Sequence, residues 1–387
     1  MNKASAKIGV PMNKCRVCGN EFFEEPLLRY ENMPAVAQFL PDAESLPSDK
    51  GVDLVVCQCS GCGLVQLSND PVPYCREVIR AAAFSEEMRV FREGQFAGFI
   101  EKYGLKGRKV LEVGCGRGEY LSIMHETSVD AYGVEWSDES VSHCLKSGLN
   151  VEKGYVESGT YKLEKGPFDA FYMLNFLEHL PDLNSVLTGI RSNLGDDGIG
   201  LVEVPNFDMI LRSNQFTEFT TDHLFYFTRE TLAAALNLNG FEVIKCGEVW
   251  YDYIISAVVC KRKKMNISHF YDCQSKLRDE IHGYINCFRD GRVATWGAGH
   301  QALAVISMAD LAGRVKYVVD SAPFKHGRYT PATHLPIVPP DTLVSDPVDA
   351  VIVMAASYSD EVAKIIRQKF SAVTDIAILR DFGLEIV

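Results

Sequence analysis

Apolar positions along the chain fall into three regimes. Up to about Pro73 they are short and interrupted by turn residues and cysteines. From Phe84 to Val259, apolar runs of strand length alternate with stretches of helical period, the alternation that builds a doubly wound α/β sheet. Lys109–Val113, Ala131–Val134, Phe168–Asn175 and Gly198–Val204 read as strands, and Glu119–Glu126 as a helix. The charge run Lys261–Lys264 then intervenes as a linker or solvated edge. Beyond it come a helix-period stretch, Ile267–Phe288, and a further strand, Gly-rich turn and helix from Arg292. The pattern predicts three domains, residues 1–75, 76–262 and 263–387, the last a smaller α/β unit.

Composition narrows the function class. At 387 residues, 47% hydrophobic and 23% charged, the chain reads as globular, with ample material for a core. A formal net charge of −12 argues against nucleic acid or anionic lipid as the partner and points to a small molecule. No apolar run approaches the roughly 20 residues needed to span a bilayer, and the N-terminus lacks a signal peptide's apolar stretch, so a cytoplasmic protein is expected.

Four of the twelve cysteines carry a metal signature. Cys15-x-x-Cys18 and Cys59-x-x-Cys62 form two knuckles, each followed by a glycine, Gly19 or Gly63, that lets backbone N–H groups turn toward sulfur. Cys57 competes, but Cys59 has the matching spacing to Cys62. Four thiolates leave no open coordination position, so the expected ion is structural Zn2+.

The strand Lys109–Val113 runs into Gly114, Cys115, Gly116 and Gly118, where the main chain can approach a ligand that side chains would exclude. A glycine turn alone also suits a dinucleotide. Glu112, inside the strand, offers a carboxylate to the amino group of a methionine moiety, where a dinucleotide site wants neutrality. Glu135 ends the next strand, where an acid can hold both ribose hydroxyls, and Trp136 can cover an adenine. Asn175, Phe176 and the following Leu-Glu-His179 stand at the exit of Phe168–Asn175, and Pro205-Asn206 at the next strand exit. Together these residues favour S-adenosylmethionine (SAM), and the succession from Arg108 to Pro205 resembles the class I SAM-dependent methyltransferases.

The loop between Asn206 and Glu230 holds Asp222, His223 and Tyr226 among aromatics. His223 reads as a general base tuned by its carboxylate neighbour, against the alternative of a capping or packed residue. His179 faces the transferred methyl or caps the helix from Asp182. With the zinc pairs, the SAM motifs and this Asp-His-Leu-x-Tyr-Phe loop in one order, the chain resembles the sugar C-methyltransferases. Its C-terminal part matches at Trp296-Gly-Ala-Gly-His-Gln-Ala302 and Asp320–Pro331. The resemblance implies that His223 removes the proton next to a ketone, that Asp222 stands for the family's Glu, and that His179 polarises the carbonyl or steers the enolate. It also implies a C-terminal domain that helps hold a nucleotide-linked keto-sugar. From the residues themselves, main-chain N–H groups at Gly297 and Gly299 suit a substrate anion and Lys325 adds local positive charge, against plain structural packing, and Tyr226 is expected as a substrate contact. The Gly297-x-Gly299 turn with Asp320 also fits a nicotinamide fingerprint. The chain departs from the family at Thr220, where a tyrosine is usual, and in Arg80-Ala-Ala-Ala-Phe-Ser85, where the family is rich in tyrosine and serine.

The expected activity is methyl transfer to carbon next to the ketone of a nucleotide-linked sugar. Methylation of oxygen or nitrogen on another small polar metabolite, and a non-catalytic zinc and SAM-binding scaffold, are the alternatives.

Overall fold

Strands buried on both faces need a run of apolar residues in both registers, and Phe168–Leu174 supplies one. Around it forms the sheet that the sequence predicts. The structure, a computed structural model, describes residues 13–38, 40–76, 85–381 and 383–387. The departure at Arg80–Phe84 lies outside the described residues. The chain folds as two compact units, 1–263 and 264–387.

The first unit opens with an antiparallel meander, β1 (Leu28–Met33), β2 (Val52–Gln58) and β3 (Val65–Leu67). Helix α1 (Glu86–Tyr103) starts where the Ser85 side chain accepts from Met88 N and stops at Gly104, whose φ of 64° no other residue adopts as readily. Then follow β4 (Lys109–Val113), α2 (Glu119–His125), β5 (Asp130–Glu135), α3 (Asp138–Lys146), β6 (Val151–Lys153), β7 (Phe168–Leu174), α4 (Leu183–Ser192) and β8 (Leu194–Pro205). The unit closes with α5 (Phe207–Arg212), β9 (Phe225–Tyr226), α6 (Arg229–Leu238), β10 (Phe241–Val249) and β11 (Ile254–Lys261).

Seven strands form the main sheet in the order β10-β11-β8-β7-β4-β5-β6. The strands from β8 to β6 are parallel, and β11 returns antiparallel to β8. Strand order reverses at β4, so a crevice opens where β4 and β7 end, at Gly114 and Asn175. Alternate residues of these strands feed two cores: Leu111, Val113, Phe171 and Met173 on one face, Val110, Ala170, Tyr172 and Leu174 on the other.

The cysteine-bearing segment is part of the same unit. Cys15, Val17, Cys59 and Leu64 join the first of those cores, and β9 adds to β3 as the fourth strand of the N-terminal sheet. Packing and pairing therefore tie residues expected in a separate module to the loop that follows β8.

Buried charge fixes α1 to the sheet. Arg92 and Glu203 are both fully buried and ion-paired, Gln95 Nε2 donates to Glu203 Oε1 at 2.5 Å, and the Arg92 guanidinium lies 5.0 Å from the Tyr120 ring centre.

The second unit comprises α7 (His269–Ile285), β12 (Val293–Trp296), α8 (His300–Met308), β13 (Val318–Val319), β14 (Ile337–Val338), α9 (Thr342–Ser345), β15 (Ala350–Val353), α10 (Ser359–Lys369), β16 (Asp375–Arg380) and β17 (Gly383–Ile386). Its sheet runs β14-β13-β12-β15-β16-β17, parallel except for β17. Among the described residues no helix is long and apolar enough to cross a membrane.

Candidate active site

The four knuckle cysteines converge: the sulfurs of Cys15, Cys18, Cys59 and Cys62 all lie within 4.8 Å of one another. Gly19 and Gly63 both take φ of 77°, as the knuckle turn requires. Val17 N and Gly61 N point at the sulfurs of Cys15 and Cys59, at 3.4 and 3.3 Å, and Gln66 Nε2 reaches Cys15 at 3.1 Å. Such donors stabilise thiolates, so the set fits a tetrahedral soft-ligand ion. Cys57 lies in β2, outside the group.

At the β4 exit the chain turns through Gly114, Gly116 and Gly118 at φ of 72°, 55° and 86°. A Cβ on Gly114 would stand 2.9 Å from the Phe176 ring, so only glycine keeps this cradle open. Glu135 holds the turn's shape: its Oε2 accepts from Gly116 N at 2.9 Å and its Oε1 from Ser137 N at 2.9 Å. Each oxygen keeps a lone pair, as a ribose contact needs. Glu112 is buried and accepts from Tyr172 OH at 3.0 Å. The Cys115 thiol turns away into the core toward Cys144, so Cys115 can meet a ligand only through its main chain. The cradle fits the ribose and methionyl parts of SAM.

A cavity of about 320 Å3 begins at this cradle and runs past Asn175, His179, Thr220, Asp222, His223 and Tyr253. Asn175 sits at φ 47°, which turns the chain sharply where β7 ends. The His179 and His223 rings meet edge to face, with centres 4.8 Å apart. His179 Nδ1 is 2.8 Å from the Asp222 carbonyl oxygen, which makes Nδ1 the protonated nitrogen and leaves Nε2 a lone pair. Burial lowers the His179 pKa. Burial, and then the neighbouring His179, push His223 down to about 3, so both rings are neutral. Asp182, not His179, caps α4.

Two expectations for this loop are corrected. The Asp222 carboxylate does not engage His223; the two residues follow one another in a turn where His223 N donates to Thr220 O at 3.3 Å, and the Asp222 Oδ1 accepts from Tyr74 OH at 2.6 Å. Tyr226 does not line the cavity. It is buried with Phe207 and Phe219, and its hydroxyl accepts from Thr220 N at 3.1 Å, because β9 is pinned to β3.

Three groups at or beside the cavity escape the sequence reading. Tyr74 reaches the loop from the N-terminal stretch. Arg76 lines both the cavity and the recess beside Trp136. Glu178 is fully buried, and burial raises its pKa to about 8. One oxygen of Glu178 lies 3.8 Å from His179 Nε2. A Glu ahead of the histidine is visible in the sequence, but its burial is not.

In the second unit the Gly297 turn, at φ 124°, passes so close to Met354 that a Cβ would meet its carbonyl at 2.5 Å. Gly299 caps α8. Asp320, expected to be available to a ribose in the nicotinamide reading, accepts instead from Ala298 N, Ala322 N and Lys325 Nζ, each at 2.8 Å. Lys325 is thereby neutralised within the unit.

A family model described as a methyltransferase domain matches residues 80–245, and one described as a C-methyltransferase C-terminal domain matches residues 264–376. The chain is similar to the C-methyltransferase NovU of Streptomyces niveus, 22% identical over 394 residues that cover 91% of each chain. It is also similar to the ubiquinone biosynthesis O-methyltransferase of Bordetella avium, 36% identical over 88 residues, 21% of this chain and 36% of that one. Among solved structures, a SAM-dependent methyltransferase from Clostridium acetobutylicum aligns with a TM-score of 0.37 and 10% identity, covering 45% of this chain and 92% of that one.

Proposed function

Starting from a chain that is a SAM-dependent methyltransferase, with a methyltransferase domain followed by a C-methyltransferase C-terminal domain, we propose that it methylates carbon next to the ketone of a nucleotide-linked keto-sugar. The observation that carries this reading is the pair of neutral imidazoles, His179 and His223, in the cavity that begins at the glycine cradle. Oxygen or nitrogen acceptors already carry a lone pair; carbon needs a base to create one.

In this reading Gly114, Gly116, Glu135 and Trp136 hold SAM, which supplies an electrophilic methyl group and leaves as S-adenosylhomocysteine (SAH). His223 takes the proton from the carbon next to the ketone. His179, fixed by the Asp222 carbonyl, faces the oxygen on which negative charge develops. The Glu178 carboxyl has an oxygen within 4.8 Å of both histidines and, kept neutral at pH 7 by burial, adds no negative charge to oppose the developing enolate. After methylation the ketone reforms, and the proton on His223 passes to solvent. The four cysteines hold Zn2+ as a structural ion, and any anion at the Gly297 to Gly299 turn would meet the N-terminus of α8 rather than Gly297 N or Ala298 N, which bond Val319 O and Asp320.

Incubation with SAM carrying a 13C-labelled methyl and a panel of nucleotide-linked keto-sugars tests the reading. A carbon-bound methyl in the product's NMR spectrum is expected, together with exchange of the neighbouring proton in D2O. His223→Ala should abolish both while leaving SAH binding intact. The second reading, an oxygen acceptor, draws on the match to the ubiquinone O-methyltransferases and requires an oxygen-bound methyl.

A further inference from the structure

The recess expected to hold adenine is already filled. Gly114, Glu135, Trp136, Tyr155 and Phe176 line it, and it leaves about 20 Å3, room for one water and not for a purine. Its lid is Arg76, whose guanidinium carbon stands 5.1 Å from the Trp136 ring centre and 4.7 Å from that of Tyr155. Arg76 Nη2 also lies 3.1 Å from Glu157 Oε2, in an exposed pair that solvent screens. These contacts are weak enough for a bound adenine to replace.

The same arginine lines the acceptor cavity, where it is the only lysine or arginine among the described lining residues. The other ionisable groups there are Glu135, Glu178 and Asp222, with the neutral His179, His223 and Tyr253. Among the described lining residues an anionic acceptor therefore finds one partner of opposite charge. We propose that Arg76 is the specificity residue for the acceptor's phosphate groups, delivered to them when the cofactor's adenine takes its place against Trp136. This rests on the phosphorylated acceptor of the preceding section. It makes binding ordered, cofactor first, because adenine settling over Trp136 displaces the guanidinium from the recess and frees the edge that now pairs with Glu157.

Two measurements test the assignment. Calorimetry with a nucleoside diphosphate alone should show clear binding in the presence of SAH and about 10-fold weaker binding without it; Arg76→Gln should abolish that difference. Kinetics should then compare a nucleotide-linked keto-sugar with the same sugar lacking phosphate. For the phosphorylated acceptor, Arg76→Gln should raise KM about 10- to 100-fold with kcat little changed, and Arg76→Lys should recover part of the loss. For the unphosphorylated sugar the variant should match the parent. Equal losses on both sugars would make Arg76 merely structural, and diphosphate binding indifferent to Arg76 would overturn the proposal. Tight diphosphate binding without methylation of either sugar would instead sink the keto-sugar reading and leave Arg76 as the anion partner.

Discussion

Tyr74 donates a 2.6 Å hydrogen bond to the carboxylate of Asp222, a residue 148 positions further along the chain. The same hydroxyl accepts from Ala37 N at 3.0 Å and Gln38 N at 3.4 Å, and the Asp222 carbonyl in turn holds His179. One tyrosine thus connects three stretches of backbone around the two histidines.

Tyr74→Phe should therefore disturb catalysis more than cofactor binding. A hydrogen bond to a charged group contributes about 1.5–3 kcal/mol, so kcat should fall roughly 10- to 100-fold. SAH affinity by calorimetry should stay within about 3-fold of the parent. Unchanged kcat would show that the Asp222 loop holds its shape without Tyr74.

Glu178 should leave a signature in stability against pH. Its folded pKa of about 8 lies above its ordinary value of 4.5, so between these values the unfolded chain releases a proton that the folded chain keeps. The contribution of Glu178 is complete below about 4.5 and is lost as pH rises toward 8, on the order of a few kcal/mol. His223 runs the other way: with a folded value of about 3 against 6.5, its contribution appears as pH rises across that interval. Denaturant titrations should show Glu178→Gln flattening the decline between pH 5 and 8, an effect absent if the carboxyl ionises normally.

Stripping the metal should cost more than the N-terminal sheet. With the cysteines in one core with Leu64 and Phe225, chelation or Cys59→Ser should lower the Tm of the first unit and abolish turnover. Native mass spectrometry should find one zinc per chain before chelation. Full activity in metal-free protein would remove the ion from the account.

Arg92 and Glu203 offer a test of buried charge. Arg92→Met strands a buried carboxylate and should destabilise the first unit by about 3–5 kcal/mol. The double variant Arg92→Met, Glu203→Met should regain most of that loss in chemical denaturation. Additive losses would show that the two side chains do not act as a pair.

The sheet and its glycine turn were legible because their causes are local. Apolar runs mark β4 and β7, and the positive φ of Gly114, Gly116 and Gly118 is a demand of the turn itself. Converging cysteines were legible for the same reason, since knuckle spacing fixes each pair. What the sequence hid was tertiary. Adjacent letters suggested that Asp222 serves His223, but the carboxylate turns to Tyr74. Tyr226 looked like a substrate contact beside a catalytic histidine, and strand pairing with Val65 takes it into the core. Arg76 stands in an unremarkable stretch of sequence, and only folding sets it over Trp136.

Pairing of Val65 with Tyr226 also has a temporal side. On the ribosome, β3 emerges long before its partner, so its outer edge stays open while the whole parallel sheet is made. The N-terminal hairpins can form early, but their last strand arrives only with the loop that follows β8. A chain truncated before residue 225 should thus present a bare strand edge and be prone to self-association.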